Sequence, residues 1–414
     1  MIAEILSIGS ELTSGANLDT NARWLSVRLC EAGFPVGFHT TIGDDLDVNI
    51  DTFKIALRRA NIILATGGLG PTADDLTRDA LAKVAGAELE LHQPSLDFIE
   101  SLFRSRKREM PPSNRVQAMF PRGAIVIPNP NGTAPGIWME MGDRIVVCMP
   151  GVPREMYAMF NEWVMPRLKE KFGSTRAIVR RTFRCFGAGE SQIEAKLGDL
   201  TSRHRQPEVG ITASQATISL HIVATAPTPE EAFAATEPDA KFIREQLGDL
   251  VVGEGDAELQ SVVAQLLQEK GKTLSTAESC TGGLVGHLLT EIPGISASYM
   301  GGVVSYSNTA KMDLLGVPAE LLEKHGAVSA EVAEAMAAGC RKRFQTDLAV
   351  AITGIAGPDG GTPEKPVGLV FVSLAHEDGF KTVRFIWGKD RSFTKVCSAK
   401  TALNLVRLRL IGSL

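Results

Sequence analysis

Chemistry first suggests itself at Ser275-Thr276-Ala277-Glu278-Ser279-Cys280-Thr281-Gly282-Gly283, which an apolar strand-like run (Thr273, Leu274) enters and a helix-like run (Leu284 to Leu289) leaves. A strand-to-helix turn of this kind sets a hydroxyl at the tip of a sheet. It also aims the first free backbone N–H groups of the helix at whatever binds there, which suits a developing oxyanion or a phosphate. Ser279 is the candidate nucleophile, with Cys280, Thr281, Gly282 and Gly283 as candidate substrate-binding residues around it. A serine needs a base. Tyr306-Ser307-Asn308-Thr309-Ala310-Lys311 follows the strand-like Met300 to Ser305 and offers Lys311, whereas His287 lies inside an apolar helix pattern and His325 and His376 lie beside loop signals. A lysine serves as base when burial lowers its pKa from ~10.4 toward neutrality, and Tyr306 would then relay a proton or orient the pair. From spacing alone, a serine-rich turn and a surface lysine account for these stretches equally well.

A third stretch, Leu348 to Pro358, is a buried strand running into the glycine-rich Thr353-Gly354-Ile355-Ala356-Gly357-Pro358, where backbone can approach a ligand closely. AESCTGG, YSNTAK and TGIAGP, in this order, resemble the C-terminal amidase domain of the CinA family (competence/damage-inducible protein), whose members hydrolyse nicotinamide mononucleotide to nicotinate mononucleotide and ammonia. The resemblance implies Ser279 as nucleophile and Lys311 as base, and no cofactor for this reaction. It also implies that Tyr306, Asn308, Thr353, Gly354 and Arg391 contact or support the substrate. Cys280 is the local rival: a thiol is the better nucleophile intrinsically, but it lies one residue into the turn and would point elsewhere.

A chain of 414 residues is too long for one compact core and implies two to four domains. Hydrophobic content of 44%, charged content of 22% and 40 glycines describe a globular α/β protein rich in turns. A formal net charge of -5 argues against a dedicated nucleic-acid binder, so small-molecule nucleotides come first as partners. The six cysteines form no C-x-x-C pair, which points to neither a zinc ribbon nor a disulfide framework but to a reducing compartment. Met1-Ile2-Ala3-Glu4-Ile5-Leu6 runs straight into a strand-like segment, and no apolar run approaches ~18 residues. The expectation is a cytoplasmic chain with no membrane partner.

Ile2 to Ile8 reads as a first strand ending in Gly9-Ser10-Glu11-Leu12, followed by an amphipathic helix from Asp19 with a stop at Gly33. A strand (Val36 to Ile42), a helix (about Val48 to Ala60) and a strand (Asn61 to Thr66) follow, so the sheet should be largely parallel, with ligands at its C-terminal ends. Gly67-Gly68-Leu69-Gly70-Pro71-Thr72-Ala73-Asp74-Asp75 lies there: Gly67 and Gly68 let phosphates near the backbone and Thr72 can cap the next helix. Asp74 or Asp75 can hold a divalent cation against a pyrophosphate, although both would also suit a helix's first turn. Three more polar loops complete a candidate site: Lys107-Arg108 with Pro111 to Arg115, Asn129 to Gly136, and Met149 to Met156. These loops, with the GSELTSG run, look like the family's N-terminal domain, which is similar in fold to molybdopterin-binding domains and in many members hydrolyses ADP-ribose to AMP and ribose 5-phosphate. That resemblance implies Asp75 and Glu155 as metal or catalytic carboxylates, with Glu11 and Asn114 next. It further implies Thr72, Gly132 and Thr133 as nucleotide contacts; hard carboxylate oxygens favour magnesium or manganese as the cation. No Nudix-like run of spaced glutamates occurs.

The next ~85 residues read β-α-β-β-α, as a separate small domain would. The family has a KH-like module here, but Gly187-Ala188-Gly189-Glu190 has glutamate where a G-x-x-G loop needs its second glycine, so a spacer or dimer element is expected rather than an RNA reader. The last domain should open near Gly253, with Asp256 capping a helix. Lys389-Asp390-Arg391 should start a C-terminal helix whose Lys395, Lys400, Arg407 and Arg409 are solvated. Gly271-Lys272-Thr273 lacks the leading glycine of a P-loop, since Leu266 stands there. The expected architecture is multidomain α/β. Residues 1–168 form a molybdopterin-binding-like domain, 169–253 a small α+β KH-like domain and 254–414 an α/β amidase domain, and a homodimer is expected. A nucleotide- or pterin-binding protein acting in DNA uptake is the alternative. An S-x-x-K acylase is excluded by Gly282.

Overall fold

The computed structural model describes residues 1–173, 177–388 and 390–414; Lys389 lies outside the described residues. Packing divides the chain into two compact units, residues 1–179 with 225–233, and residues 180–224 with 234–414.

In the first unit a six-stranded sheet runs β2-β1-β3-β6-β5-β4, with β1 Ala3–Ile8, β2 Val36–Ile42, β3 Ile62–Thr66, β4 Ile125–Ile127, β5 Gly136–Met141 and β6 Arg144–Met149. The pairs β1/β2, β1/β3 and β3/β6 are parallel, as expected. The edge formed by β5 and β4 is antiparallel. Every residue of β1 and β3 is buried, because helices cover both faces. Successive side chains of a strand point to opposite faces. Ile5, Ile62 and Leu64 therefore meet Leu25 and Leu29 of α1 (Thr20–Glu31), while Leu6, Ile63 and Ala65 meet Phe53 and Ala56 of α2 (Leu46–Arg59) and Leu81 of α3 (Thr77–Ala85). Asp19 caps α1 by accepting from the Ala22 N–H at 2.9 Å. After β6, α4 (Pro153–Met159) continues through a wide π turn at Phe160–Val164 into Met165–Phe172; Pro166, which has no N–H to donate, sits where the ladder has already loosened.

Mostly in the second unit, a four-stranded sheet, β8-β9-β7-β10, comprises β7 Ala177–Phe186, β8 Glu208–Ser214, β9 Thr217–Ala226 and β10 Val251–Glu254. With α5 (Glu190–Leu197) and α6 (Pro229–Leu247) it encloses Phe183, Ile193, Leu220, Ile222 and Ile243. Gly189 is the N-cap of α5. A five-stranded sheet follows, ordered β12-β11-β13-β14-β15: β11 Leu274–Glu278, β12 Tyr299–Val304, β13 Leu348–Gly354, β14 Leu369–His376 and β15 Gly379–Ile386. β11 pairs in parallel with β12 and β13, while β13/β14 and β14/β15 are antiparallel. Among its helices are α7 (Leu284–Thr290), α8 (Asn308–Leu315), α9 (Ala330–Phe344) and α10 (Arg391–Ile411). Val350 and Ile352 pack toward α10, and Ala349 and Ala351 toward α9.

Two expectations are corrected here. The helix after Gly253 spans Leu259–Glu269 and its N-cap is Glu258, not Asp256. Lys400 and Arg407 are not solvated charges. Arg407 is buried and donates to the Val251 and Asp249 carbonyls, and Lys400 Nζ donates to the Gln215 carbonyl (3.2 Å) and the Thr217 hydroxyl (2.8 Å). α10 thus ties the KH-like sheet to the last sheet, a tertiary role that a basic helix pattern cannot reveal.

Candidate functional site

β11 is an interior strand of its sheet, between β12 and β13, and delivers Glu278 and Ser279 to its C-terminal end. The strand persists through Glu278, so the turn proper is residues 279–283, with Gly282 at φ +64 and Gly283 at φ +94. Positive φ is inexpensive only for glycine, which is why two are needed. The Ser279 N–H donates to the Ile352 carbonyl at 3.0 Å, fixing the turn to β13, and the Gly282 N–H donates to the Ser279 carbonyl at 3.1 Å. The N-terminus of α7 differs from expectation. Its amides do not face a ligand, because the buried Glu278 carboxylate accepts from Gly283 (3.0 Å), Val285 (3.1 Å) and Gly286 (2.9 Å). A carboxylate at the positive end of a helix is favourable. The Cys280 N–H lies against its own thiol, whereas the Thr281 amide has no hydrogen-bond partner among the described residues and the buried Thr281 Oγ1 has none either.

Lys311 comes from α8, whose N-cap Ser307 accepts from the Ala310 N–H at 3.1 Å. At 1% exposed it is among the largest buried side chains; its Nζ donates to Ser279 Oγ at 3.1 Å and to the Ser305 carbonyl at 2.8 Å. Burial pushes its pKa below the ordinary lysine value, and the neighbouring Cys280 thiol opposes that shift less strongly. Ser279 is 8% exposed. Cys280 packs into the core cluster under α10, and burial pushes its pKa up to about 11, so at neutral pH it is a thiol rather than a reactive thiolate.

The other residues named from sequence sit in two places. Arg391, in the first turn of α10, donates to the Gly357 carbonyl at 2.8 Å and to the Tyr306 hydroxyl at 2.8 Å. Tyr306 is 60% exposed and makes no hydrogen bond to Ser279 or Lys311, so a relay through it is not built into this arrangement; it holds Arg391 against the TGIAGP turn. Asn308 is exposed at the start of α8. Thr353 is buried and its hydroxyl donates to the Ala327 carbonyl at 2.7 Å, a supporting contact. A Cβ at Gly354 would lie 2.7 Å from the Leu369 carbonyl oxygen, so glycine there serves strand packing.

In the first unit a cleft of about 610 Å³ opens at the C-terminal ends of the parallel strands. It gathers Glu11, Gly67, Gly68, Thr72, Asp75, Thr133 and Glu155. Gly67 (φ +102) allows the turn to pass the end of β1: a Cβ would lie 2.0 Å from the Ile8 carbonyl oxygen. Thr72 does not cap a helix, since α3 begins at Thr77. Asp75 is likewise no first-turn residue. It closes the loop on itself, accepting from the amides of Gly70 (2.7 Å) and Thr72 (2.9 Å) and from the Thr72 hydroxyl. Glu155 accepts from Asn129 Nδ2 at 2.6 Å, tying the 129–134 loop to the start of α4, and a Cβ at Gly132 would collide with its carboxylate. Asn114 stands behind the cleft wall, donating to Gln117 Oε1 at 2.8 Å. Gln117 itself lines the cleft.

Comparison with known proteins accords with both ends of this geometry. Residues 4–170 match the "Probable molybdopterin binding domain", residues 180–253 the "Damage-inducible protein CinA KH domain" and residues 256–410 the "CinA C-terminal domain". A CinA-like protein of Dictyoglomus thermophilum is 42% identical over 100% of both chains. One of Trichormus variabilis is 44% identical over 99% of this chain and 100% of its own. The chain belongs to the CinA family. Among solved structures, the competence/damage inducible protein CihA of Agrobacterium tumefaciens is 42% identical over 37% of this chain and 93% of its own, with a TM-score of 0.36.

In this CinA-family chain, sequence reasoning did not find the residues that shape the two sites. Glu278 was in view as part of a motif, yet only the fold shows that it caps α7. Arg78, fully buried, donates to the Leu69 carbonyl at 2.7 Å and the Gly70 carbonyl at 3.3 Å, and Thr77 Oγ1 donates to the Gly67 carbonyl at 2.8 Å; both hold the glycine turn from beneath. Burial lowers the Arg78 pKa, with Asp75 and Asp79 opposing. Both Asp75 oxygens serve Gly70 and Thr72, Glu155 Oε2 serves Asn129, and no three His, Cys, Asp or Glu side chains among the described residues are grouped as metal ligands would be. No helix among the described residues is long and apolar enough to cross a membrane.

Proposed function

We propose that the second unit is a serine–lysine amide hydrolase. The observation that carries this is the buried Lys311 Nζ, 3.1 Å from Ser279 Oγ, with a pKa lowered by burial. In its neutral form Lys311 takes the hydroxyl proton as Ser279 Oγ attacks a carboxamide carbon. The unpartnered amide of Thr281 is the donor available to the developing oxyanion. As the C–N bond breaks, Lys311 returns the proton to the departing nitrogen, which leaves as ammonia. Water, deprotonated by the same amine, then cleaves the acyl ester to the carboxylate. Membership of the CinA family supports nicotinamide mononucleotide as substrate, with Arg391 beside the turn as partner for its phosphate. Ammonia release from nicotinamide mononucleotide by the purified chain tests this reading. Its absence, with the fold intact, would overturn it.

A second activity is proposed for the first unit: hydrolysis of ADP-ribose to AMP and ribose 5-phosphate in the 610 Å³ cleft. Support comes from the match to molybdopterin-binding domains and from a glycine turn at the ends of parallel strands. Glu11, Asp19, Asp44, Asp74, Asp75 and Glu155 line the cleft, and no Lys, Arg or His among the described residues does. A pyrophosphate would therefore arrive as its magnesium or manganese complex, the metal belonging to the substrate. Binding of ADP-ribose that is abolished by a chelator and restored by magnesium is the expected outcome.

A further inference from the structure

In the second unit a recess of about 300 Å³ lies at the opposite end of the strands that carry the Ser279 turn. Lys272 stands just before β11 and Asp347 just before β13, so a strand's length separates the two places, roughly 17 Å at ~3.3 Å per residue. Four permanent cations line the recess, Lys270, Lys272, Arg341 of α9 and Arg409 of α10, against two carboxylates, Asp347 and Glu377. The carboxylates are already engaged. Asp347 faces Lys272 at 3.3 Å and accepts from the Thr273 N–H and hydroxyl, each at 2.8 Å, while Glu377 and the adjacent Asp378 face Arg409. Lys270 and Arg341 are left without an ion pair among the described residues.

Two of the lining side chains are held in place by neutral groups. Arg341 Nε donates to the Asp347 carbonyl at 3.0 Å and Nη1 to the His376 carbonyl at 3.1 Å, which fixes the plane of the guanidinium and leaves Nη2 without an acceptor among the described residues. His376, at the end of β14, also lines the recess. The Asp378 N–H donates to its Nδ1 at 3.2 Å, which assigns the proton of the neutral ring to Nε2. Burial, and after it the charges of Arg409 and Arg341, hold His376 below the ordinary histidine pKa while Asp378 opposes, so Nε2 is a neutral donor with no acceptor among the described residues. Cations suit helix ends, and α9 and α10 end here, but no helix-end carbonyl accepts from Arg341.

Two cations without a counter-charge and several N–H groups without an acceptor call for a dianion rich in oxygens. A phosphate monoester carries about -1.5 to -2 charge at neutral pH and three acceptor oxygens, whereas a single carboxylate carries one charge and two oxygens. Sites for small ligands begin at about the size of this recess. We propose that the recess is a separate binding site for the phosphate monoester of a small molecule, with Lys270, Arg341 and His376 as its donors. It lies apart from the Ser279 turn and shares no residue with the cleft of the first unit.

The test is a calorimetric titration of the full-length chain with glycerol 3-phosphate, and with malonate as a dicarboxylate dianion of similar charge. A chelator is present throughout, because the carboxylate-lined cleft of the first unit repels a metal-free anion. Glycerol 3-phosphate should bind about 10-fold or more tightly than malonate. Lys270→Ala and Arg341→Ala should each weaken it about 5-fold or more, and Arg391→Ala, which removes the cation beside the Ser279 turn, should leave it unchanged. Lys270 is exposed, so Lys270→Ala should keep the wild-type thermal unfolding midpoint even where Arg341→Ala does not. Absence of saturable binding overturns the proposal, as does binding that Arg391→Ala abolishes or that Lys270→Ala leaves unmoved. Malonate binding as tightly as glycerol 3-phosphate overturns the assignment to phosphate. Binding alone is read, so neither reaction proposed above has to occur for the result to stand.

Discussion

A lysine that is almost completely buried with a serine hydroxyl as neighbour is an unstable place for a charge, which is what the proposed hydrolysis would use. No carboxylate among the described residues pairs with Lys311: its Nζ hydrogen-bonds to Ser279 Oγ and the Ser305 carbonyl, both neutral. Desolvation therefore favours the free amine below the ordinary lysine value of 10.5. The linkage follows in sign. The unfolded chain holds this proton up to about its ordinary pKa while the folded chain releases it earlier, so the group costs stability fully below its folded pKa and the cost shrinks as pH rises through the window up to 10.5. Amidase kcat/KM should rise with pH through the lower edge of that window, and a flat profile from neutral to mildly alkaline pH would remove Lys311 as base. Lys311→Arg, which keeps a cation that never deprotonates, should lose activity by at least about 10³-fold, and so should Ser279→Ala. Cys280→Ser should retain it. Sequence made the Ser279 turn and the Lys311 stretch visible as candidates because both carry turn chemistry next to apolar runs. It did not reveal that Tyr306 would reach Arg391 rather than the lysine, since nothing in the spacing says which way a side chain on β12's exit points.

At the scale of elements, what was legible was what local chemistry dictates. β1, β2 and α1 were evident from apolar runs of the right period and from Asp19 before the first helical turn. Hidden features were those that only the assembled fold can specify. The antiparallel edge of the first sheet depends on strand order, the α7 cap on a carboxylate arriving from a strand end, and the closure of the Asp75 loop on two amides five and three residues earlier. Two changes probe these elements. Glu278→Gln keeps the shape but removes the charge from the α7 terminus, and should lower stability by about 1–2 kcal/mol in a denaturant titration while slowing ammonia release, because the same turn aims Ser279. A variant of wild-type stability would show that the cap contributes nothing. Gly67→Ala must place a methyl 2.0 Å from the Ile8 carbonyl oxygen with φ at +102, so a loss of at least about 2 kcal/mol is expected, confined to the first unit.

At the scale of the molecule, the two compact units would carry the two proposed reactions on different sheets, and no residue of the cleft belongs to the Ser279 turn. Asp75 tests whether that separation is functional. Both of its oxygens accept from donors, Oδ1 from Gly70 and Oδ2 from Thr72. Asp75→Asn turns one acceptor into an NH₂ group facing an N–H. One of these contacts must break whichever way the amide is oriented, and the glycine turn loses the closure that Arg78 and Thr77 support from the other side. ADP-ribose hydrolysis should fall about 10- to 100-fold with little change in ammonia release from nicotinamide mononucleotide. Should both activities fall together while the fold is kept, the units are coupled and the assignment of one reaction to each is wrong. Should neither fall, the Asp75 loop is no part of a working site, and the cleft must be assigned a different task.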